Sequence, residues 1–219
     1  ELALREGYRE RTFVARMHSG RRVKVQSKRI CSIVQDEIGA LEYRITPLDF
    51  SGTLSLTPYV DADVINEDAN YDEKFWVEVD KKVKRRQGYV LAETKKTQFQ
   101  ACTGMKFAIY QKGKEVDFNS YRIQKEKYVG CTADLECKEG QETTVYKYAA
   151  NVTSMNHDKE GLMELCKERV KSAYKQGFDS LLKEQAEAWQ RKWEEADGRS
   201  EGEGAAQLGI RCNMIQLYQ

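Results

Sequence analysis

Residues 101–109, ACTGMKFAI, place apolar or small side chains at every second position. The series consists of Ala101, Thr103, Met105, Phe107 and Ile109. Successive side chains of a β-strand point to opposite faces, so this alternation predicts a strand with one buried face. The same pattern recurs along the chain up to about residue 152, and it therefore decides the fold class.

Two further runs alternate as clearly, and three shorter runs alternate weakly. The clear runs are Val129, Cys131, Ala133, Leu135 and Cys137, and then Tyr146, Tyr148, Ala150 and Val152; the weak ones are Val23 and Val25, Leu41, Tyr43 and Ile45, and Leu54 and Leu56. Tight polar turns such as DFSG, QKGKE and CKEGQE separate them. Short strands between such turns predict a mainly β protein, an antiparallel β-sandwich of roughly eight to ten strands.

The apolar period changes to that of a helix after Asp158. In DKEGLMELCKERVKSAYKQG (158–177), one face carries Leu162, Leu165, Cys166, Val170 and Ala173. Asp158 is the predicted N-cap of this helix, and Gly177 is its predicted stop. A second helix in 179–198 is predicted to bury the stripe formed by Leu182, Ala186, Trp189, Trp193 and Ala196.

The last segment is apolar on more than one side of a helix. After the Gly- and charge-rich hinge DGRSEGEG (197–204), one stripe runs through Ala206, Ile210, Met214 and Leu217, and another through Leu208, Cys212 and Ile215. A helix of this kind is expected to be enclosed by other elements.

Composition excludes several function classes. The 219 residues include 36 Lys and Arg against 35 Asp and Glu, so no overall charge attracts nucleic acid or an anionic membrane. His18 and His157 are the two histidines, and without a Cys-x-x-Cys pair no metal site is expected. The six cysteines are widely spaced in a large chain, which favours free thiols in a reducing compartment.

Two charged segments are interpreted as solvated loops. The acidic stretch DADVINEDANYDE from Asp61 lacks the oxygen ligand and the glycine that a calcium loop needs at positions 5 and 6. The basic run KKVKRRQ (81–87) is predicted to form a solvated hairpin tip, with nucleic-acid binding as the remote alternative.

One segment, NYDEKFW (70–76), carries the candidate binding residues. Tyr71, Phe75 and Trp76 lie there among charged residues that include Asp72. Aromatic faces and carboxylates are the groups with which sugar sites bind their ligands, so these four residues are candidates for the rim of a substrate site. The alternative is that the aromatic side chains pin a long loop to the sandwich.

Five blocks together resemble glycoside hydrolase family 65, which includes the maltose, trehalose, kojibiose and nigerose phosphorylases. They are LREGYRERTF (4–13), ITPLDFSGTLSLTPYVDADVINEDANYDEKFW (45–76), TKKTQFQACTGMKF (94–107), EQAEAWQRKWEEAD (184–197) and AAQLGIRCNMIQLYQ (205–219). The resemblance implies a large antiparallel β-sandwich (super-sandwich), two linker α-helices and the first helix of an (α/α)6 barrel.

The corresponding domains are an N-terminal β-sandwich over 1–153 whose front portion is missing, a helical linker over 154–202 and a truncated barrel start over 203–219.

The activity that this resemblance implies is inverting phosphorolysis of an α-linked glucose disaccharide to β-glucose 1-phosphate, with hydrolysis, which some members of the family catalyse instead, as the alternative. Inorganic phosphate would be the co-substrate, with no further cofactor. The catalytic residues of the family lie in the barrel, so no catalytic residue is assigned to this chain.

The resemblance also implies a cytoplasmic homodimer that binds neither nucleic acid nor membrane. The chain would support the barrel, contribute to the dimer contacts and reach the active-site rim. The alternative is a free-standing carbohydrate-binding or assembly module with a β-sandwich fold.

Overall fold

The computed structural model describes residues 2–65, 73–196 and 204–218, and within these ranges the chain is mainly β. The strands are β1 (Leu2–Ala3), β2 (Tyr8–Arg16), β3 (Arg22–Cys31), β4 (Ile38–Pro47), β5 (Gly52–Leu56), β6 (Tyr59–Asp61), β7 (Trp76–Lys84), β8 (Gln87–Thr94), β9 (Gln100–Gln111), β10 (Lys114–Glu115), β11 (Asn119–Lys125), β12 (Tyr128–Cys137) and β13 (Thr143–Thr153). The helices are α1 (Leu162–Gln176), α2 (Phe178–Ala196) and α3 (Gly204–Tyr218).

The strands form two antiparallel sheets, as the alternation predicted. The large sheet has the order β1-β2-β3-β4-β13-β9-β8-β7, with β10 paired to β9. In the small sheet β11 and β5 lie on either side of β12, and β6 also pairs with β12. Strand number exceeds the expected range because β1, β6 and β10 are only two or three residues long and carry no readable alternation.

The large sheet is the middle of three layers. One face packs on the small sheet through clusters that include Phe107 and Ile109 with Cys131 and Ala133. The opposite face packs on α1 and α2, where Cys102 and Ala150 meet Cys166 and Val170. The structure is therefore a β-sandwich with a helical layer on one outer face.

Strand β9 differs from its prediction, because it is buried on both faces. Met105, Phe107 and Ile109 face the small sheet, as expected. The intervening residues Cys102 and Gly104 are buried as well, because α1 lies over them. A Cβ atom on Gly104 would lie 2.7 Å from Cys166 Sγ, so the glycine permits this close approach of the helix.

Both linker helices form, but two details of their prediction are wrong. The residue that caps α1 is Gly161, with a left-handed φ of 96° and no side-chain cap, instead of Asp158. Gly177 ends α1 as expected, and its backbone N–H donates to Ala173 O.

The buried face of α2 also differs from the predicted stripe. Its buried residues are Phe178, Leu181, Gln185, Ala188 and Trp189. Trp189 of the predicted stripe is therefore buried, whereas Leu182, Ala186 and Trp193 are only partly buried. The predicted stripe counted apolar residues alone, but the contact centres on a polar residue, Gln185. The side chain of Ala196 lies outside the described residues.

The described residues hold no helix that is both long enough and apolar enough to cross a membrane. All six cysteines are free thiols, and four of them, Cys102, Cys131, Cys137 and Cys166, are buried.

Candidate functional site

The predicted rim residues Phe75 and Trp76 lie together at the start of edge strand β7. Trp76 pairs with Thr94 of β8 in the antiparallel register. Tyr71 and Asp72, the other two predicted rim residues, lie outside the described residues. We call Phe75, Trp76 and the neighbouring Phe99 the aromatic edge.

The aromatic edge is packed and partly exposed at the same time. The Trp76 and Phe99 rings are tilted by 58° with centroids 6.0 Å apart, and all three side chains are partly buried. A shallow hollow of about 270 Å³ opens beside them, lined by Phe75, Trp76, Thr94, Lys95, Lys96 and Thr97. The ring contact supports the packing interpretation, whereas the exposed remainder of Trp76 leaves a surface for a ligand.

The buried side chain of Lys127 forms polar contacts next to the aromatic edge. Lys127 Nζ lies 2.6 Å from Asp63 Oδ1 and 3.4 Å from the carbonyl oxygen of Trp76. Hydrogen bonds from Lys127 and Lys74 hold the pKa of the Asp63 carboxyl below its usual range. The charges of Asp63, Lys74 and Lys127 therefore compensate one another, which favours the ionised form of the Asp63 carboxyl.

Glu78 of β7 belongs to the same arrangement. Burial disfavours its charged form, but Lys81 and the backbone N–H of Lys127 donate to its carboxylate and lower its pKa overall. The carboxylate is therefore an acceptor held in place by donors, which does not suit a general acid near neutral pH.

A second site joins the N-terminal turn to helix α2. Gln185, which is fully buried, donates through Nε2 to Gly7 O at 2.9 Å and Cys31 O at 3.0 Å. Its Oε1 accepts from the backbone N–H of Ile33 at 3.0 Å. One side chain therefore satisfies three backbone groups from two separate segments of the large sheet.

Two tryptophans complete this contact. Trp189 is fully buried and stacks on Trp193 with ring centroids 5.7 Å apart. Trp193 Nε1 donates to Leu4 O at 3.1 Å, and the Trp189 ring lies directly against Gly7. We call Gly7, Gln185, Trp189 and Trp193 the linker clamp, since they fix α2 on the sandwich.

The linker clamp connects two blocks that are far apart in the sequence, LREGY and EQAEAWQRKW. The predicted helical stripe included both tryptophans, whereas Gln185 was not among the predicted functional residues. A polar residue four positions before Trp189, on the same side of the helix, was the available signal. A groove of about 500 Å³ next to the clamp is lined by residues of the N-terminal turn and α2 together with Arg211 of α3.

An aromatic cleft of about 780 Å³ lies where α1 turns into α2. Its lining includes Tyr110, Tyr146 and Phe178 with the charged Arg44 and Asp179. Behind it the buried Glu42 accepts from Tyr146 Oη at 3.1 Å and forms a salt bridge with Arg44 at 2.9 Å. Burial and the Glu42 charge raise the pKa of Tyr146, so its hydroxyl stays a donor.

Comparisons with known proteins agree with this architecture. The N-terminal domain of glycosyl hydrolase family 65 matches residues 1–192. The chain is 29% identical over 226 residues to an α,α-trehalose phosphorylase from Thermoanaerobacter brockii, and 28% identical over 218 residues to a maltose phosphorylase from Bacillus subtilis (strain 168). Both alignments cover 100% of this chain but only 29% and 28% of the relatives.

A solved structure, a putative kojibiose phosphorylase from human microbiome, has the same fold with a TM-score of 0.85. It is 18% identical, and the match covers 100% of this chain and 28% of that one. The fold and the linker clamp thus define an antiparallel β-sandwich domain with linker helices docked on one face. The chain belongs to glycosyl hydrolase family 65, in which it corresponds to the N-terminal domain.

Proposed function

We propose that this chain is the non-catalytic N-terminal part of a family 65 disaccharide phosphorylase. The observation that supports this most directly is the linker clamp, which holds α2 rigidly on the sandwich through fully buried Gln185 and Trp189. A helix fixed in this way can position the part of the longer protein that follows α2. The two relatives named above are both phosphorylases, which favours phosphorolysis over hydrolysis.

The proposed reaction of the longer protein is inverting phosphorolysis of an α-glucosidic disaccharide to β-glucose 1-phosphate. Inorganic phosphate is the co-substrate, no other cofactor takes part, and the catalytic groups lie outside this chain. In such a reaction an acid protonates the leaving oxygen while phosphate attacks the opposite face of the sugar.

The proposed domain division is a sandwich over 1–153, a linker over 154–202 and the first barrel helix from 203. It is supported by the positions at which β13 ends, Thr153, and α3 begins, Gly204. Helix α3 also leaves Leu208, Ile210 and Leu217 exposed. Apolar side chains in these positions favour a helix that other helices enclose in the longer protein.

The proposed contribution to the active-site rim comes from Tyr71, Asp72, Phe75 and Trp76, of which Phe75 and Trp76 belong to the aromatic edge. Its support is the partial exposure of Trp76 beside a hollow. Edge strand β7 carries exposed Val77 and Val79, and unpaired edges tend to associate, which supports a homodimer. The free thiols favour the cytoplasm, a reducing compartment.

An assay with the full-length protein tests the function. It is incubated with maltose, trehalose, kojibiose and nigerose in the presence of phosphate, and the anomer of glucose 1-phosphate is identified by NMR. We expect β-glucose 1-phosphate from one or more of these sugars and no product from the 219-residue chain alone. Turnover by that chain alone, or phosphate-independent release of glucose, would contradict the proposal.

The aromatic cleft favours a second candidate function, carbohydrate binding by a free-standing module. Its tyrosine and phenylalanine rings with Arg44 and Asp179 combine apolar faces with polar groups, as sugar sites do. Calorimetric titration of the chain with maltose separates the candidates. Binding that Tyr110→Ala abolishes would favour the module, whereas no binding would leave the phosphorylase domain as the function.

A further inference from the structure

Five lysines from three elements converge on one cleft. The cleft has a volume of about 660 Å³ between β7, β8, β9 and α1, and it is lined by Lys82, Lys84, Gln87, Tyr89, Lys106, Glu164, Lys167 and Lys171. We call it the lysine cleft. It lies on the helical side of the large sheet, on a different part of the molecule from the linker clamp.

The positive charge of the lysine cleft exceeds its negative charge. Glu164 is the one carboxylate among the lining residues, 2.5 Å from Lys167 Nζ and 3.9 Å from Lys82 Nζ. Lys82 also lies 3.8 Å from Asp80. Within the described ranges, Lys84, Lys106 and Lys171 form no salt bridge with a carboxylate.

Lys106 is the best-positioned of these groups. It projects from β9, an interior strand of the large sheet, and its Nζ lies 4.0 Å from the centroid of the Tyr174 ring. Burial and then the charge of Lys171 lower the pKa of Lys106, because both disfavour its ammonium form. An anion in the cleft would compensate this unfavourable charge.

The basic run 81–87 has two separate roles in the structure. Arg85 and Arg86 form the hairpin tip, where they pair with Asp117 and contact the Phe118 ring. Arg86 also forms a salt bridge with Glu115, so two carboxylates compensate the two arginine charges. Lys82 and Lys84, in contrast, face α1 across the lysine cleft.

We propose that the lysine cleft binds a small anion that carries at least two phosphate groups, such as a hexose bisphosphate or a free diphosphate. Ammonium groups bind phosphate oxygens as strong point-charge donors, and several of them from opposite walls suit more than one phosphate group. The volume is that of a small-molecule site. This inference goes beyond the proposed phosphorylase function and uses none of its active-site groups.

An extended nucleic acid fits the cleft less well. Its binding requires a basic surface that continues along the backbone, whereas Asp80, Glu164 and the paired Asp117 interrupt the positive charge here. The site therefore favours a compact polyanion.

Isothermal titration of the full chain at low ionic strength tests the proposal, with pyrophosphate, a hexose bisphosphate and inorganic phosphate as separate probes. We expect one site that binds pyrophosphate or the bisphosphate at least tenfold more tightly than phosphate. The stronger of the two identifies free diphosphate or phosphorylated sugar as the source. Affinity should fall as salt is added, because screening weakens charge attraction.

Two variants with the same change in charge separate the cleft from the general surface. Lys106→Gln/Lys171→Gln should weaken pyrophosphate binding at least tenfold. Lys114→Gln/Lys138→Gln, which removes two exposed lysines elsewhere, should change it less than twofold. Circular dichroism checks that both variants are folded. If Lys106→Gln/Lys171→Gln is not folded, the variant Lys84→Gln, at an exposed lysine, replaces it.

Glu164→Gln gives a result that a purely structural role would not produce. Removal of the one lining carboxylate should tighten pyrophosphate binding about threefold or more. The proposal is overturned if no probe binds, or if the lysine variants and their control bind pyrophosphate alike. It is also overturned if duplex DNA binds and competes with pyrophosphate equally well in the Lys84→Gln variant and in the unmodified chain.

Discussion

Gly7 shows at the level of one residue why the N-terminal turn has its sequence. Its φ is +65°, a left-handed conformation that favours glycine, and an added Cβ would lie 1.9 Å from Trp189 Nε1. No heavy atom can occupy that position while Trp189 stays in place. The glycine is therefore required both by the backbone and by the tryptophan that covers it.

Gly7→Ala should destabilise the chain by about 3 kcal/mol, the combined cost of a left-handed alanine and of overpacking. The matched control is Gly20→Ala, at φ +81°, where an added Cβ would have no heavy atom within 4 Å. That change should cost about 1 kcal/mol, from the backbone conformation alone. Urea denaturation measures both. Equal losses would show that Trp189 moves aside without cost.

Gln185 is the other residue on which the linker clamp depends. Gln185→Leu keeps a similar volume but leaves one backbone N–H and two carbonyl groups without their partner. Each buried group left unsatisfied costs about 1 kcal/mol or more, so we expect a loss of about 3 kcal/mol. Exposed Gln190→Leu is the control and should change stability by less than about 0.5 kcal/mol. A small effect at Gln185 would mean that water replaces its side chain.

The aromatic edge provides a test at the level of an element. If the longer protein is the proposed phosphorylase and β7 presents this ring to the substrate, Trp76→Ala should raise its KM for the disaccharide about threefold or more with little change in Tm. Phe99→Leu is the control, since it alters the ring contact but leaves Trp76 in place. A lower Tm with unchanged KM in Trp76→Ala would favour the packing interpretation.

The elements also show how far the sequence alone could predict the structure. Period-two alternation of apolar residues located β9, β12 and β13, because the face of a strand that packs in the core carries an apolar residue at every second position. It could not show that α1 covers the second face of β9, since Gly104 and Cys102 owe their burial to a helix distant in sequence. Long-range contacts of this kind leave no local period.

The start of α1 and the lysine cleft were less predictable from the sequence than the strands. The N-cap of α1 was misplaced because Asp158 is a good capping residue by type, whereas tertiary packing starts the helix at Leu162. The lysine cleft collects residues from 82 to 171, and no single segment contains enough of them to suggest a site. Only the folded sheet brings them together.

Alkaline pH acts on the molecule as a whole through its buried tyrosines. Burial raises the pKa of Tyr89 and Tyr148 to about 12, and both lie in the core beneath the helices. Below about pH 10 they are protonated in both states and have no effect on stability. Above that pH the unfolded chain loses these protons first, so stability should fall by up to about 1.4 kcal/mol per pH unit for each tyrosine.

Urea midpoints measured from about pH 8 to about pH 11.5 check this prediction. The urea midpoint of Tyr148→Phe should fall less steeply above about pH 10, because this variant lacks one tyrosine whose pKa is raised in the folded state. The exposed Tyr121→Phe is the control and should follow the unmodified chain. Identical slopes for all three proteins would show that Tyr148 ionises in the folded state without cost.

Helix α3 presents exposed apolar side chains, which bear on how the whole molecule behaves in solution. Its Leu208 and Leu217 are 56% and 84% exposed, whereas Ile215 is buried. Exposed apolar side chains on one helix favour association. In the isolated chain, a second copy is the available partner for these side chains. We therefore expect the 219-residue chain to self-associate as its concentration rises.

Leu208→Asp/Leu217→Asp should abolish concentration-dependent association beyond any dimer formed through β7 in light-scattering measurements, while the Tm of the sandwich stays unchanged. The control is Val14→Asp/Met155→Asp, which places the same charges at residues 58% and 80% exposed outside α3. That variant should still associate, because α3 is intact. If both variants lose this association, general surface charge governs it, and if neither variant loses it, edge strands govern it. In either case α3 does not need the enclosure that the phosphorylase proposal gives it.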